Sequence, residues 1–588
     1  MHTFYSMQRW LTFAPVGFVV CCLATACRLY ALPQAFEVGP FEADELPKGK
    51  FAEGIIGDFI LRNDKVEAVV SGNFSNRRAN FKTFRGTNGV NSGDLYDLTL
   101  RGTDNDQLTI FAPDHQVGPV SWVRIVKPGT DGEAVIETVV TASKNKGIYK
   151  RHEYRIKDGW PGVLITTTVK NERNHTYFSW TDDVWTSFGR SGVLGGIAWG
   201  DAVDPADKTA YAYGYTESTP NITSPTSFSL NAGTTATWSR FLAVGNSPAD
   251  ALSKVTAFRV EPVGTFTGTI KDRAGVPVTT AQIMLRPENT YYKECIGYTD
   301  EKGRFSFQLP PGVYEIELTD QGRQSISNKI ALKAKGSTTF SPVMTVASAI
   351  VFNIHDEGGR SLPCKAQFLG TNGTPSVDLG PISRAHGCKD QYHSEKGQFR
   401  VALPAGTYKV IVTRGPEYSH LESLVKVDPE TTAQFEGTLK RLVDTTGWVS
   451  ADYHNHSIPS GDTSTSTDDR IINLAAEHIE FAPATEHNRI CSWRPSIEKL
   501  GLKDFIQTIA GLELTGSGPH LNSFPLKPIP HTQDSGAPEW DKDPRLDALT
   551  LRDWQKLEPD RWVQLNHPDM VESFIDRNDD GKIDGGYV

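Results

Sequence analysis

The sequence predicts a multidomain, β-rich protein with an N-terminal all-β sandwich, two small β-sandwiches and a C-terminal partial β/α barrel. Short β-branched runs bounded by Gly, Asn and Asp recur up to about residue 258. One sequence motif then occurs twice between residues 259 and 441. After residue 442, strand-like segments alternate with helical ones, and histidines or carboxylates stand at the segment ends.

Composition narrows the class of protein. The chain has 588 residues, enough for several domains, and 38% of them are hydrophobic, which is typical of folded rather than disordered chains. The formal net charge is -10 and there is no basic stripe, so a nucleic-acid partner is not expected.

Residues 1–31 have the pattern of a secretory signal peptide. Arg9 precedes an uncharged apolar run, and Ala24-Thr25-Ala26 is typical of a cleavage site. The run is shorter than a membrane span requires, so no stable span is expected after cleavage. We expect a secreted, periplasmic or cell-envelope protein, and Cys27 after Ala26 leaves a lipoprotein as an alternative.

Residues 32–258 read as the N-terminal sandwich. Asp64 to Val70, Val135 to Val140 and Val163 to Val169 are β-branched runs, and long helical periodicity is absent. Tryptophans in this region either line a sugar-binding face or pack in the core, and core packing is the commoner role of such side chains. They are Trp122, Trp160, Trp180 and Trp185.

The repeated motif is G-x-F-x-[FV]-x-L-P-x-G-x-Y, from Gly303 to Tyr314 and again from Gly397 to Tyr408. Alternate residues are expected to face a core, and Pro-Gly turns the chain before the next strand. With Gly268 to Val278 and Thr299 to Phe305, the first copy resembles the carboxypeptidase-regulatory-like family. That resemblance implies a transthyretin-like β-sandwich over residues 259–345, with a looser second copy over 346–441.

Whether two cysteines of the second copy form a disulfide is an open question. Cys364 and Cys388 fall within one predicted β-domain and are candidates for a disulfide in an oxidising compartment. None of the cysteines has a visible catalytic partner, so a structural role is expected for all of them.

Candidate metal-binding side chains are concentrated in residues 442–588. His454 and His456 end one predicted strand, a helix follows from about Thr467 to His478, and further segments end in charged or imidazole side chains. This alternation predicts parallel strands whose ligands converge at one edge. Imidazole with carboxylate suits Zn, Mn or Fe. The candidate metal ligands are His454, His456, Asp462, His487, Glu513 and His567.

This order resembles the PHP (polymerase and histidinol phosphatase) superfamily, in its carbaryl-hydrolase-like branch. The matching elements are Asp452-Tyr-His454-Asn-His456-Ser457, Thr485-Glu486-His487-Asn488, Gly511-Leu-Glu513, His520 with Asn522, and His567-Pro568. The resemblance implies a distorted barrel with two or three metal ions. It also implies metal-activated water attacking an ester, carbamate or phosphoester bond of a small molecule or polymer, carbohydrate included.

The resemblance also assigns two catalytic candidates. His520 would be a ligand or an oxyanion donor, and Glu486 would orient His487 or shuttle a proton. Pro519 departs from the glycine of the family pattern, and the late D-x-H strand end of the family is missing. The barrel is therefore expected to be C-terminally incomplete.

A second metal signal lies near the C-terminus. Residues 576–587 begin like a calcium-binding loop, with Gly581 at the turn but Tyr587 where a bidentate glutamate is expected. A calcium site and a solvated acidic turn are the two interpretations. The calcium-ligand candidates are Asp576, Asn578, Asp580 and Asp584.

Two functions follow from these features. The main hypothesis is a secreted, metal-dependent hydrolase with β-sandwich accessory domains. The alternative is an extracellular carbohydrate- or surface-binding protein whose C-terminal domain binds metal without catalysis.

Overall fold

A computed structural model describes residues 33–80, 90–115, 118–180, 183–186, 189–216, 227–288, 290, 294–516, 520–541, 543–555, 561–567, 576 and 580. The predicted signal peptide, with Cys27, lies outside these residues. In the described part of the chain, no helix is both long and apolar enough to cross a membrane.

The N-terminal region is a β-sandwich, as predicted. A six-stranded sheet of order β1-β2-β3-β4-β5-β11 faces an eight-stranded sheet of order β12-β13-β14-β16-β9-β8-β7-β6, and β10 pairs with β15. The strands are β1 (Gln34–Glu37), β2 (Phe59–Arg62), β3 (Val66–Val70), β4 (Leu95–Leu100), β5 (Ile110–Ala112), β6 (Trp122–Pro128), β7 (Glu133–Val140), β8 (Ile148–Lys157), β9 (Gly162–Asn171), β10 (Tyr177–Trp180), β11 (Val184–Thr186), β12 (Ser191–Leu194), β13 (Ile197–Asp201), β14 (Ala210–Tyr215), β15 (Ser227–Leu230) and β16 (Thr235–Gly245).

The sequence analysis did not predict the helix α1 (Pro248–Phe258) that follows this sandwich. Ser247 caps its N-terminus by accepting a hydrogen bond from the Asp250 amide, and Pro248 occupies the first turn. Leu252 and Val255 bury against the core of the next domain. The helix therefore joins the sandwich to the second unit.

Two of the tryptophans proposed for a sugar face pack against other rings instead. Trp160 contacts Phe258 edge to face, with ring centroids 5.0 Å apart, and Trp185 meets Tyr213 in the same way at 5.3 Å. Trp122 is half-buried and donates a hydrogen bond to Glu137. The side chain of Trp180 is outside the described residues.

The second and third units repeat one topology, which confirms the predicted pair of small sandwiches. Three-stranded sheets of order β21-β17-β24 and β29-β26-β32 correspond, as do four-stranded sheets of order β20-β19-β22-β23 and β28-β27-β30-β31. The strands are β17 (Gly264–Thr269), β18 (Lys271–Asp272), β19 (Gln282–Pro287), β20 (Cys295–Tyr298), β21 (Arg304–Leu309), β22 (Gly312–Thr319), β23 (Ile326–Leu332), β24 (Ser337–Thr339), β25 (Val343–Met344), β26 (Ala349–His355), β27 (Cys364–Thr371), β28 (Gln391–Ser394), β29 (Gln398–Ala402), β30 (Gly406–Thr413), β31 (Leu421–Val427) and β32 (Thr432–Thr438).

The shared motif is explained by contacts that recur in both copies. Tyr314 donates a 2.8 Å hydrogen bond to the carbonyl of Pro310, and Tyr408 donates an equal bond to Pro404. The first glycine of each motif lies against a main-chain carbonyl, so that a β-carbon would overlap that oxygen. Each motif thus closes the turn between two strands of its sandwich.

Cys364 and Cys388, the candidate disulfide pair, are free thiols in the structure. Cys364 is buried and belongs to β27, whereas Cys388 is half-buried and lies in the loop that precedes β28. The predicted bond is therefore not formed.

The C-terminal unit contains the helices α2 (Thr467–Ala476), α3 (Arg494–Leu500) and α4 (Pro544–Asp553), and the strands β33 (Leu512–Leu514), β34 (Leu521–Phe524) and β35 (Trp562–Leu565). The helix α2 falls where the sequence predicts a helix, from about Thr467 to His478, and α4 was not predicted. Parallel bridges join Ala451 to Phe481, Phe481 to Gln507, Ala484 to Ala510 and His487 to Glu513.

The purely parallel arrangement expected for this unit is wrong. β34 pairs antiparallel with both β33 and β35. The short connection after Leu514 suffices for a hairpin between β33 and β34 but not for a crossover. The segments around His454 and His487 are not regular strands, because side chains replace main-chain partners there. Asn455 donates its amide to Thr485, and Ser457 donates to Glu486. No barrel closes within the described residues.

Candidate metal centre

The carboxylate of Glu513 lies at the centre of five imidazoles. Its Oε1 is 3.1 Å from His454 Nε2, 3.3 Å from His520 Nδ1 and 3.7 Å from His567 Nε2. Its Oε2 is 2.8 Å from His487 Nδ1 and 3.4 Å from His456 Nε2. Glu513 belongs to β33 and is fully buried, whereas the imidazoles come from segments before and after it.

The five imidazoles form a closed ring around this carboxylate. Neighbouring ring centroids lie between 4.2 Å and 5.7 Å apart around the whole circuit. The circuit runs His454, His456, His487, His520, His567 and back to His454. The side chains that the sequence predicts to converge are thus brought together, although β34 reverses the direction of the chain between them.

Asp462 is the remaining predicted ligand, and it reaches the cluster from the loop before α2. Its Oδ2 lies 3.2 Å from His487 Nε2, and its side chain is one-third exposed. His567 is more exposed still, at 43%, whereas His487 and Glu513 are almost completely buried. The cluster therefore has a buried floor, and Asp462 and His567 are its most exposed members.

The donor set fits divalent metal ions. Three groups of side chains could each hold an ion, since the candidate ligand atoms within each group lie within 4.8 Å of one another. His454 Nε2 and His456 Nε2 approach to 2.9 Å beside the same carboxylate. Nitrogen lone pairs and carboxylate oxygens that face each other so closely are stabilised by a cation between them. The three groups are His454, His456 and Glu513; His456, Asp462 and His487; and His487, Glu513 and His520.

The protonation equilibria of the cluster are strongly perturbed. Burial lowers the pKa of His487, but hydrogen bonds with Asp462 and Glu513 outweigh burial and raise this pKa to about 9. Burial also raises the pKa of Glu513, but hydrogen bonds from the surrounding imidazoles hold it far below its ordinary value. Burial, together with the charge of His487, lowers the pKa of His456 to about 4. Such perturbation is common at functional sites.

Glu486 lies beneath the cluster and does not face it. Its carboxylate is fully buried and accepts hydrogen bonds from the Ser457 amide at 2.8 Å, the Ser460 hydroxyl at 2.6 Å and the Trp493 indole at 3.0 Å. The Ser457 hydroxyl is a further donor. Ser460 connects Glu486 to the cluster, because its hydroxyl contacts both this carboxylate and His456 Nδ1.

The hydrogen bonds of Ser460 determine the tautomer of His456. Its only hydroxyl proton goes to Glu486, so its oxygen accepts the bond from His456 Nδ1, 2.9 Å away. Nδ1 therefore carries the proton, and Nε2 presents its lone pair to the cluster. The same oxygen accepts the His487 amide at 3.1 Å. One serine thus orients both histidine-bearing segments.

Sequence reasoning missed the polar residues that support the cluster. Asn566 donates to Glu513 Oε1 at 2.8 Å and to the Asn522 side chain at 2.7 Å. Thr515 Oγ1 lies 2.7 Å from His487 Nδ1. All three stand within two residues of a predicted ligand in the sequence, since Asn566 precedes His567, Thr515 follows Glu513 and Ser460 precedes Asp462. That proximity was the only signal available for them.

The predicted calcium loop is described only in part. The Asp580 amide donates a 3.2 Å hydrogen bond to Asp576 Oδ1. Asn578 and Asp584 lie outside the described residues. The calcium site stays a prediction.

A family model for the carboxypeptidase regulatory-like domain matches residues 265–345, in agreement with the motif of the first small sandwich. No match to the PHP superfamily was found for the unit that carries the histidines. No curated protein matches the chain.

Solved structures resemble parts of the chain only distantly. The 3-chlorocatechol 1,2-dioxygenase from Rhodococcus opacus 1CP has 14% identity and a TM-score of 0.13, and the match covers 14% of this chain and 60% of that chain. The shaft pilin SpaA from Lactobacillus rhamnosus GG has 13% identity and a TM-score of 0.21, covering 30% and 98%. A putative carbohydrate-binding protein from Bacteroides uniformis ATCC 8492 has 12% identity and a TM-score of 0.14, covering 29% and 99%. Likenesses at this level carry no argument about function.

Proposed function

We propose that the C-terminal unit carries the metal centre of a secreted, PHP-like hydrolase that cleaves an ester, carbamate or phosphoester bond. The observation that supports this proposal most strongly is the position of Glu513, within 3.7 Å of nitrogen atoms of all five clustered histidines. A purely structural role would leave several mutually facing nitrogen atoms around one buried carboxylate.

In this proposal, His454, His456, Asp462, His487, Glu513 and His567 would hold two or three ions of Zn, Mn or Fe. Bound divalent ions supply Lewis-acid chemistry and lower the pKa of water. Glu513 offers two oxygens, each facing a different set of imidazoles, and this arrangement suits a carboxylate shared between two ions.

The remaining residues would act by orientation and by hydrogen bonding. Ser460 and Glu486 hold His456 with its Nε2 lone pair directed inward, so Glu486 is a positioning residue in this proposal. His520 lies at the start of β34 beside Glu513 and would be a ligand or a donor to the oxyanion. Substrate would approach from the side of the more exposed members, such as His567.

Metal analysis and hydrolysis by the full-length protein test this proposal. The purified protein should bind Zn, Mn or Fe and should cleave a p-nitrophenyl ester, carbamate or phosphodiester. His454→Ala should lose both properties. His386→Ala is the matched control, because that exposed imidazole pairs with Glu395 in the second small sandwich. Equal metal content and activity in wild type and His454→Ala would refute the proposal.

The second candidate is an extracellular binding protein whose metal site is catalytically inactive. The observation that favours it is that the matched family lies in a β-sandwich, not in the unit with the histidines. Metal binding without hydrolysis of any of the three bond types, together with glycan binding by the full-length protein, would favour this candidate.

A further inference from the structure

The N-terminal sandwich contacts the histidine-bearing unit through buried charges. Arg78 Nη2 lies 2.9 Å from Asp534 Oδ2, and both side chains are less than a tenth exposed. Beside this pair, Arg77 donates to Gln533 Oε1 at 3.1 Å, and Gln533 donates to the Arg78 carbonyl at 3.3 Å. The amide of Ile56 also donates to the carbonyl of His531 at 3.0 Å.

Asp534 is shared between the two units. Its other oxygen, Oδ1, lies 3.7 Å from Nη2 of Arg489, a residue of the histidine-bearing unit. One buried carboxylate therefore faces a guanidinium from each side. Removing Arg78 leaves this buried carboxylate with less compensating charge, whereas a lysine at the same position would keep a cation beside it.

Hydrogen bonds connect the main chain of Asp534 to the cluster. The Asp534 carbonyl accepts the Ile490 amide at 3.2 Å, and Arg489 lies between Ile490 and Asn488. The Asn488 amide donates to the Glu513 carbonyl at 2.7 Å. The Asn488 side chain donates to the Thr515 carbonyl and accepts the Thr515 amide, each at 2.8 Å.

The connection ends at a predicted metal ligand. Thr515 Oγ1 lies 2.7 Å from His487 Nδ1. Displacement of Asp534 would therefore move the segment that carries Arg489 and Asn488, and with it the orientation of His487. Polar partners of metal ligands commonly change metal affinity 10- to 100-fold when they are removed.

We propose that Arg78 is a positioning residue for the metal centre: the N-terminal sandwich holds His487 in place through Arg78, Asp534 and Arg489. This inference rests on the proposed metal-binding function. It means that the sandwich is part of the working site and not a spacer or a separate binding module.

Zn²⁺ affinity of the full-length protein, measured by competition with a chelator, tests the inference. Arg78→Asp and Asp534→Arg should each weaken Zn²⁺ binding by about 10-fold or more. Arg78→Lys should stay within about 3-fold of wild type, because a cation again faces Asp534 while Arg489 keeps its partner. A role in folding stability alone would change thermal unfolding without changing the Zn²⁺ affinity of the folded protein.

Lys365→Glu is the matched control. Lys365 of the second small sandwich pairs with Glu477 of the histidine-bearing unit, so this variant also reverses a charge at a contact between units. Its Zn²⁺ affinity should equal that of wild type. Wild-type Zn²⁺ affinity in both Arg78→Asp and Asp534→Arg would overturn the inference and leave the proposed function standing. Absence of Zn²⁺ binding by wild type itself would overturn both.

Discussion

The hydroxyl of Ser460 lies 2.9 Å from His456 Nδ1 and accepts its hydrogen bond, since the serine proton is donated to Glu486. The serine thereby places the lone pair of His456 on Nε2, which faces Glu513. A single buried hydroxyl thus connects a carboxylate below the cluster to a predicted ligand within it.

Ser460→Ala should weaken Zn²⁺ binding by about 10-fold, because His456 loses the acceptor that fixes its tautomer. Chelator competition measures this change. Ser466→Ala is the control: that serine caps α2, so its loss should cost about 1 kcal/mol of stability without changing Zn²⁺ affinity. Equal Zn²⁺ affinity in Ser460→Ala and wild type would show that the serine does not orient His456.

The buried carboxyl of Asp201 is expected to make the stability of the protein depend on pH. Burial raises its pKa to about 7, although the Tyr298 hydroxyl and Arg190 oppose this rise. Because the pKa is higher in the folded than in the unfolded state, the folded protein loses stability as pH rises from about 4 to about 7. The loss from this group is on the order of 4 kcal/mol.

Asp201→Asn should remove this part of the pH dependence and stabilise the protein at pH 8 relative to wild type. Denaturant unfolding of both proteins at pH 4, 6 and 8 measures it. The expected result is a smaller loss of stability with pH in the variant. Parallel pH profiles for the two proteins would contradict the assignment to Asp201.

Two motif glycines, one from each copy, predict different effects of substitution. A β-carbon at Gly397 would overlap the carbonyl oxygen of Ile354, whereas one at Gly312 would meet only the Tyr314 ring, at 3.8 Å. Gly397→Ala should therefore destabilise its sandwich by about 1 to 3 kcal/mol. Gly312→Ala should leave thermal unfolding within about 0.5 kcal/mol of wild type. Similar effects of the two substitutions would argue against close backbone packing as the origin of the motif.

The β-domains could be predicted because their information is local. Alternating burial in β21 and β22, and the Pro-Gly turn between them, follow directly from the residue pattern. The helix α1 was missed, although Ser247 and Pro248 form a recognisable start, because it is a single short helix within a β-rich region.

The clustering of the candidate side chains could also be predicted, since imidazoles and carboxylates occur at the ends of successive segments. The antiparallel direction of β34 was missed, although the connection to β33 is visibly too short in the sequence for a crossover. Ser460, Thr515 and Asn566 were missed for another reason. Small polar residues are common in loops, and only the folded structure shows which of them contact a ligand.

Zn²⁺ binding by wild type and Glu513→Gln tests the central claim most directly, because Glu513 contacts every histidine of the cluster. Full-length wild-type protein should bind at least one equivalent of Zn²⁺ per chain. The variant should bind about 100-fold more weakly, because the shared negative charge is lost while the side chain keeps its shape. Failure of the wild-type protein to bind Zn²⁺, Mn²⁺ or Fe²⁺, or equal Zn²⁺ affinity in the two proteins, would contradict the assignment of a metal centre.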